Sequence, residues 1–357
     1  MSKKIVHVVG TGTIGEPLIG LLSDYKNELG IDEVTFNKRT PLRTDNSKVN
    51  SLIRRGARLV SDREAFEGFK ELGNEPEFET VEAIDRASVV IDCTPSGVGH
   101  KNKNKYYHNF DHNTAGFIAQ GSENGFGIPY ARGINDSALV HGEDQFIQVV
   151  SCNTHNLSVL VNTLALKNEE PGNLTEGRFV MIRRANDISQ GGDFIPSPEI
   201  GTHKNPKYGT HHAEDAANLF KTIGLDLNIF SSAMKINSQY MHVIQFNLRF
   251  KRAYTMNDIM DKINGNDLIA TTEKRMTNQV FSFGRDQGHY GRILNQTVIP
   301  LPSLQLLTGG KELAGFCFTP QDGNSLLSSI SAASWLMYPN SYEQKIQALS
   351  NLFFKEI

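Results

Sequence analysis

Cys152, in "VVSCNTHNLSV" (149–159), stands where an apolar, β-branched run ends and a helical pattern begins. A cysteine so placed is a candidate nucleophile, because the unpaired amides and the dipole of a helix N-terminus favour the thiolate. Leu157, Leu160, Val161 and Leu164 give the following segment an apolar face at helical spacing, and Asn153 or Thr154 can cap it. The competing reading is a small buried apolar side chain. His242, in "SQYMHVIQF", interrupts a strand-like apolar run and is a candidate base, with a hydrogen-bonded core histidine as the alternative. Arg183 and Arg184 close "RFVMIRR", and His211 and His212 lie together in a Gly- and Pro-rich stretch. Guanidinium forks beside imidazoles could form an anion pocket, against the plainer reading of a solvated strand end. Adjacent histidines lack the i,i+4 spacing of a helical metal pair, and no nearby carboxylate and cysteine set completes a site, so no metal is expected.

A thiol that attacks an aldehyde needs somewhere to send a hydride. Gly10, Gly12 and Gly15 in "GTGTIG" follow a strand-like "IVHVV" and precede a helical segment with Pro17 in its first turn. That context reads as a dinucleotide turn: Gly10 for the tight bend, Gly12 for the approach of a pyrophosphate, Gly15 for close helix–strand packing. Thiol and hydride acceptor together make an aldehyde-oxidising apparatus. About twenty residues on, where an NAD site usually has an acidic side chain for the ribose diol, the chain has Asn37, Lys38 and Arg39. Two cations and an amide would accept a 2′-phosphate, so NADP is expected to bind at least as well as NAD.

The elements that must hold these groups follow from the pattern of the chain. With 357 residues, 39% hydrophobic and 21% charged, it is long enough for two cores. A net charge of −3 gives no electrostatic reason to expect nucleic acid or an anionic membrane as partner. Cys93, Cys152 and Cys317 are too few and too scattered for a disulfide scaffold, and no apolar run reaches the roughly 18–20 residues of a membrane helix. A cytoplasmic protein with reduced thiols is expected. The first 150 residues alternate short β-rich runs with helical stretches, which predicts an α/β, Rossmann-like nucleotide-binding domain with a parallel sheet. Residues 151–320 predict an α+β catalytic domain with a mixed or antiparallel sheet, and 321–357 a helical segment packing back on the first domain.

Taken together, "GTGTIG", "VVIDCTPSGVGHKNK", "FIAQG", "VVSCNT", "MIRRAND", "THHAED" and "YMHV" resemble, in order, the archaeal-type (class II) phosphorylating glyceraldehyde-3-phosphate dehydrogenases. The resemblance covers most of the chain and thins after about residue 265. It implies that Cys152 is the nucleophile and His242 the base. Ser151, Asn153 and Thr154 would touch substrate, and His211 and His212 its phosphate, with Arg183 in the same anion pocket. Thr13 and Ile14 would contact the cofactor from the glycine turn, Arg184 would lie at the cofactor site, Gln321 near the nicotinamide end, and Lys38 would favour NADP. The implied reaction is reversible oxidation of D-glyceraldehyde 3-phosphate, with NADP or NAD and inorganic phosphate, through a thiohemiacetal and a thioester, in a homotetramer. Two departures stand out. Ser122 replaces a glycine beside Gly121, where a side chain would intrude on the cofactor, and His155 replaces a threonine near the thiol, where it could alter the anion pocket. Rival readings are a semialdehyde dehydrogenase, which would need groups for a carboxylate and an ammonium, and a nucleotide sensor without catalysis.

Overall fold

The computed structural model describes residues 3–170, 172–187, 191–192, 194–320 and 322–357. The chain separates into two units: Met1–Tyr130 with Leu139–Val149 and Leu326–Ser350, and Ala131–Ala138 with Val150–Ser325 and Asn351–Ile357.

In the first unit the strands are β1 (Ile5–Val9), β2 (Glu33–Asn37), β3 (Arg58–Ser61), β4 (Phe78–Glu79), β5 (Val89–Asp92), β6 (Gly116–Ala119), β7 (Ile128–Tyr130) and β8 (Phe146–Val149). They form one parallel sheet in the order β4-β3-β2-β1-β5-β6-β8-β7. β1, β2, β5 and β6 are buried throughout; β1, β5 and β6 read as mostly apolar runs, as strands covered on both faces do, whereas β2 alternates and buries Glu33, Thr35 and Asn37. His7 is the exception within β1. Its Nδ1 lies 2.7 Å from Thr35 Oγ1 on the paired strand, and burial lowers its pKa to about 3, so it stays neutral in the core. β1 lies between β2 and β5, where the strand order turns back on itself, and in an open parallel sheet that switch point is where ligands bind, beyond the carboxyl ends of the strands. Most of the helix Gly323–Met337 belongs to this unit, and Gln120 Nε2 donates to its Ser329 Oγ at 2.9 Å.

The second unit has β9 (Leu174–Arg183), β10 (Glu199–Ile200), β11 (Ile229–Lys235), β12 (His242–Phe250), β13 (Ile269–Thr272), β14 (Thr297–Pro300), β15 (Gln305–Leu307) and β16 (Glu312–Thr319). Their order is β10-β11-β9-β12-β16-β14-β13, with β15 on β16. The sheet is mixed: β9 with β11 and β13 with β14 run parallel, and the other pairs are antiparallel. Alternation is clean in β12, where Ile244, Phe246 and Leu248 are buried between half-exposed or exposed neighbours. That face packs with Phe179 and Met181 of β9 into one core with Leu157, Leu160 and Val161 of the helix Cys152–Val161 and Ala216, Leu219 and Phe220 of the helix His211–Lys221. The α/β class with one parallel and one mixed sheet is the class the sequence predicts.

Candidate active site

The helix Cys152–Val161 begins at the thiol. Ser151 is its N-cap, with extended backbone at φ −66° and ψ 158°, and its Oγ accepts from the Thr154 amide at 3.3 Å. His155 closes the same turn twice over. Its amide and its ring Nδ1 both donate to the Ser151 carbonyl, at 2.9 and 3.0 Å. Burial lowers the His155 pKa to about 4, so the ring is a neutral brace for the thiol-bearing turn. From the far side, Asn324 Nδ2 donates to the Cys152 carbonyl at 2.9 Å. Thr319 Oγ1 donates to Asn153 Oδ1 at 3.2 Å. Ser151, Asn153 and Thr154 therefore fix the backbone that carries the cysteine, whatever else they contact.

β9 ends at Arg183, and Arg184 follows buried beside Cys152. Arg184 Nη2 pairs with Asp187 Oδ1 at 2.5 Å and lies 3.5 Å from Asp322 Oδ1; Asp322 Oδ2 lies 3.9 Å from Arg292 Nη2. Asp322 is buried, carries a positive φ of 52°, and its Oδ2 accepts no hydrogen bond among the described residues. A buried carboxylate held by two guanidiniums beside a thiol is an electrostatic device. Cys152 is half-buried, and desolvation, then the Asp322 charge, push its thiol up to about 12 against the opposing effect of Arg184. Desolvation and the Asp322 charge thus oppose the low thiol pKa that the helix end alone suggests.

His242 opens β12, is buried, and pairs in register with Thr319. Its Nδ1 accepts the Arg184 backbone amide at 3.0 Å. Burial, then Arg184 and Arg183, hold its pKa well below the usual histidine range, so the ring is neutral with its proton on Nε2. The sequence casts His242 as a base and then an imidazolium; with Nδ1 taken by the Arg184 amide, Nε2 is the ring atom left for the site. Among the described residues no hydrogen bond joins Cys152 to His242, and Arg184 is the neighbour they share.

His211 and His212 start the helix His211–Lys221, their rings 3.9 Å apart. One amide of the first turn is served by Ser231, whose Oγ accepts from Ala213 N at 3.1 Å. His212 is buried, and neither ring nitrogen has a hydrogen-bond partner among the described residues. Burial, His211 and Arg183 all depress its pKa. Arg183 is exposed and, among the described residues, has no carboxylate partner. An unsatisfied buried imidazole beside an unneutralised guanidinium suits an anion. The structure thus groups Arg183, Arg184, His212 and His242, with His211 beside His212 and Arg183, and it is Arg184 that adjoins the thiol. A cavity of about 690 Å³ lined by Tyr240, Met276, Phe316 and others includes none of them.

The first unit supplies a separate cradle. Gly10 has φ 97°, and a Cβ on Gly15 would stand 2.1 Å from the Gly10 carbonyl oxygen, so neither position accepts a larger residue without movement. A Cβ on Gly12 would meet nothing within 4 Å, which leaves its backbone open to a ligand. Ile14 makes no side-chain cap for the helix Gly15–Asp24, whose first amides fit a pyrophosphate. The residues present fit a dinucleotide. Thr13 and Ile14 lie in the turn, and Lys38, just past β2, and Ser122, exposed after β6, lie at the same carboxyl edge of the sheet. Arg184 lies in the second unit beside the thiol, and Gln321 lies outside the described residues. Asp322, Asp187 and Asn324 are site residues that the sequence does not announce; an acid three positions after Arg184 in "RRAND" is the one local signal for any of them.

One consequence is measurable directly. Asp322→Asn removes the charge that raises the thiol pKa and leaves Arg184 to lower it. An adjacent charge moves a pKa by about one unit or more. At pH 8, below both values, the thiolate fraction rises tenfold per unit of decrease, so iodoacetamide should label Cys152 about tenfold faster in the variant. Unchanged labelling, followed by peptide mapping against Cys93 and Cys317, would remove Asp322 from control of the thiol.

No protein-family model matches the chain. Several curated proteins do. The glyceraldehyde-3-phosphate dehydrogenase of Methanobacterium formicicum is 28% identical over 267 residues, 73% of this chain and 72% of its own length. That of Methanococcoides burtonii is 30% identical over 267 residues, 72% of this chain and 71% of its own. Glyceraldehyde-3-phosphate dehydrogenase 1 of Methanosarcina acetivorans is 30% identical over 268 residues, with the same two shares of 72% and 71%. With a thiol at a helix start, an anion pocket at its side and a dinucleotide turn on a parallel sheet, the chain belongs to the glyceraldehyde-3-phosphate dehydrogenases of the archaeal type.

Proposed function

We propose that the protein catalyses the reversible, phosphorylating oxidation of D-glyceraldehyde 3-phosphate to 1,3-bisphosphoglycerate. The observation that carries this reading is the grouping, around Arg184, of the Cys152 thiol, the His242 ring and the unsatisfied His212–Arg183 pocket. The pocket suits the phosphate of the substrate, whereas the ammonium group of a semialdehyde would meet the Arg183 guanidinium there.

The Cys152 sulfur adds to the aldehyde carbon, and the carbonyl oxygen gains the thiol proton, giving a thiohemiacetal. His242 Nε2–H is the donor available to the developing oxyanion, as a preorganised hydrogen bond rather than a transferred proton. Arg184 favours the thiolate that must form during attack, and Asp322 tempers it. When bound, NADP or NAD would supply the acceptor for the hydride on the thiohemiacetal carbon. The hydroxyl proton leaves to solvent as the thioester forms, and inorganic phosphate then takes the acyl group and releases the Cys152 sulfur, which is reprotonated. Gly10, Gly12, Thr13, Ile14 and Gly15 would hold the pyrophosphate and Lys38 the adenosine end, with Ser122 beside them. A thioester conserves the oxidation energy for the acyl phosphate, which an ester would not. The same reading carries a cytoplasmic homotetramer with small-molecule substrates; no helix among the described residues is long and apolar enough to cross a membrane.

The test is a steady-state assay with glyceraldehyde 3-phosphate and each nucleotide in turn, with and without phosphate. Phosphate-dependent reduction of NADP or NAD is expected. Binding of nucleotide without turnover would mark a sensor and overturn the proposal.

A further inference from the structure

The end of β2 is occupied by a carboxylate that linear spacing from the glycine turn does not reveal. Gly10 N donates to the Asn37 carbonyl at 3.2 Å, so the glycine turn and the end of β2 adjoin directly. Lys38 follows, and its Nζ is 2.5 Å from Asp45 Oδ2. Asp45 stands at the N-cap position of the helix Asn46–Arg54, yet its side chain makes no capping bond there and turns to Lys38 instead. Lys48, one turn into that helix, is 4.0 Å from Asp45, 3.4 Å from Glu16 and donates to the Thr11 carbonyl at 3.3 Å, so it ties this cluster to the glycine turn. Arg39 and Arg43 are exposed close by and, among the described residues, have no carboxylate partner.

We propose that Asp45 sets the balance between the two forms of the nicotinamide dinucleotide. Its carboxylate occupies the cation that a 2′-phosphate needs, and offers an unphosphorylated ribose the acceptor that the end of β2 itself lacks. An acidic side chain at this edge accepts the 2′-hydroxyl, and cations here accept the 2′-phosphate. This chain holds both, coupled through one ion pair. With the 2′-phosphorylated form, Lys38 exchanges Asp45 for phosphate, and Arg39, Arg43 and Lys48 add charge. With the unphosphorylated form, Asp45 stays on Lys38, which orients it. The hydrogen bond from Lys38, with the charges of Lys38 and Lys48, holds the Asp45 carboxyl below the usual carboxylate range, so it remains ionised at neutral pH.

The inference rests on the dinucleotide reading of the first unit, and the experiment separates the two. Adenosine 2′,5′-bisphosphate and 5′-AMP are titrated calorimetrically into the full-length protein as wild type, Asp45→Asn, Asp45→Ala and Lys38→Met. Both aspartate variants should bind the bisphosphate about tenfold more tightly relative to 5′-AMP than wild type does, the scale of one hydrogen bond to a charged group. Lys38→Met should lose that preference. An unchanged ratio in the aspartate variants, or equal tightening of both nucleotides, overturns the role of Asp45 while leaving the cofactor site intact. Failure of wild type to bind either nucleotide removes the cofactor site and this inference together.

Discussion

Cys152→Ser is expected to lower kcat for oxidation of glyceraldehyde 3-phosphate by about four to six orders of magnitude, the usual cost of removing a covalent nucleophile. Serine has nearly the same size and keeps the turn that Ser151, His155 and Asn324 build around position 152. A hydroxyl, however, is far less acidic than the thiol, and its ester would not hand an acyl group to phosphate with the same driving force. Stopped-flow measurement should show a burst of reduced nucleotide in wild type and none in the variant, while nucleotide binding persists. Retention of more than about a hundredth of wild-type turnover would mean that the aldehyde is oxidised without a covalent intermediate on Cys152.

His242 gives the second large effect, and here the choice of substitute matters. His242→Asn keeps an oxygen acceptor for the Arg184 amide but removes the group in the place of Nε2–H. His242→Gln reaches further and returns an N–H near that place. If the ring works as a neutral donor, the asparagine variant should lose about 10²–10³ in kcat, the scale of one oxyanion donor, and the glutamine variant markedly less. A base that abstracts a proton would be lost equally in both. Its kcat would also follow a pH limb set by the ring, whereas a ring whose pKa burial and two arginines hold well below the histidine range should give no such limb near neutrality. Equal losses in the two variants would return His242 to the role of general base.

What can be read from the chain and what cannot divides along distance. Cys152 and the glycines announce themselves because their chemistry depends on local geometry, a strand that ends and a helix that begins. His242 can be named only as a candidate, since a histidine in an apolar strand looks alike whether it faces a core or a site. Asp322 is invisible. It meets Arg184 and the thiol only once β9, β12 and the segment after β16 are assembled, and nothing in "QDGN" advertises that. Asp45 escapes notice for a related reason. The expectation of an acidic residue is tied to the end of β2, where the chain has Lys38, but the carboxylate arrives from the next helix. His155, a departure that suggests an altered anion pocket, is turned instead into the loop backbone.

A half-exposed cysteine is ordinarily at risk from peroxide, which attacks the thiolate and carries sulfur toward sulfenic and then irreversible acids. A thiol pushed up to about 12 leaves at neutral pH a thiolate fraction on the order of one in 10⁵. Burial, with the Asp322 charge adding to it, therefore does for the sulfur what a protecting group does in synthesis. Together they mask the nucleophile against oxidants in the resting protein, at the expense of a proton that must be shed whenever an aldehyde arrives.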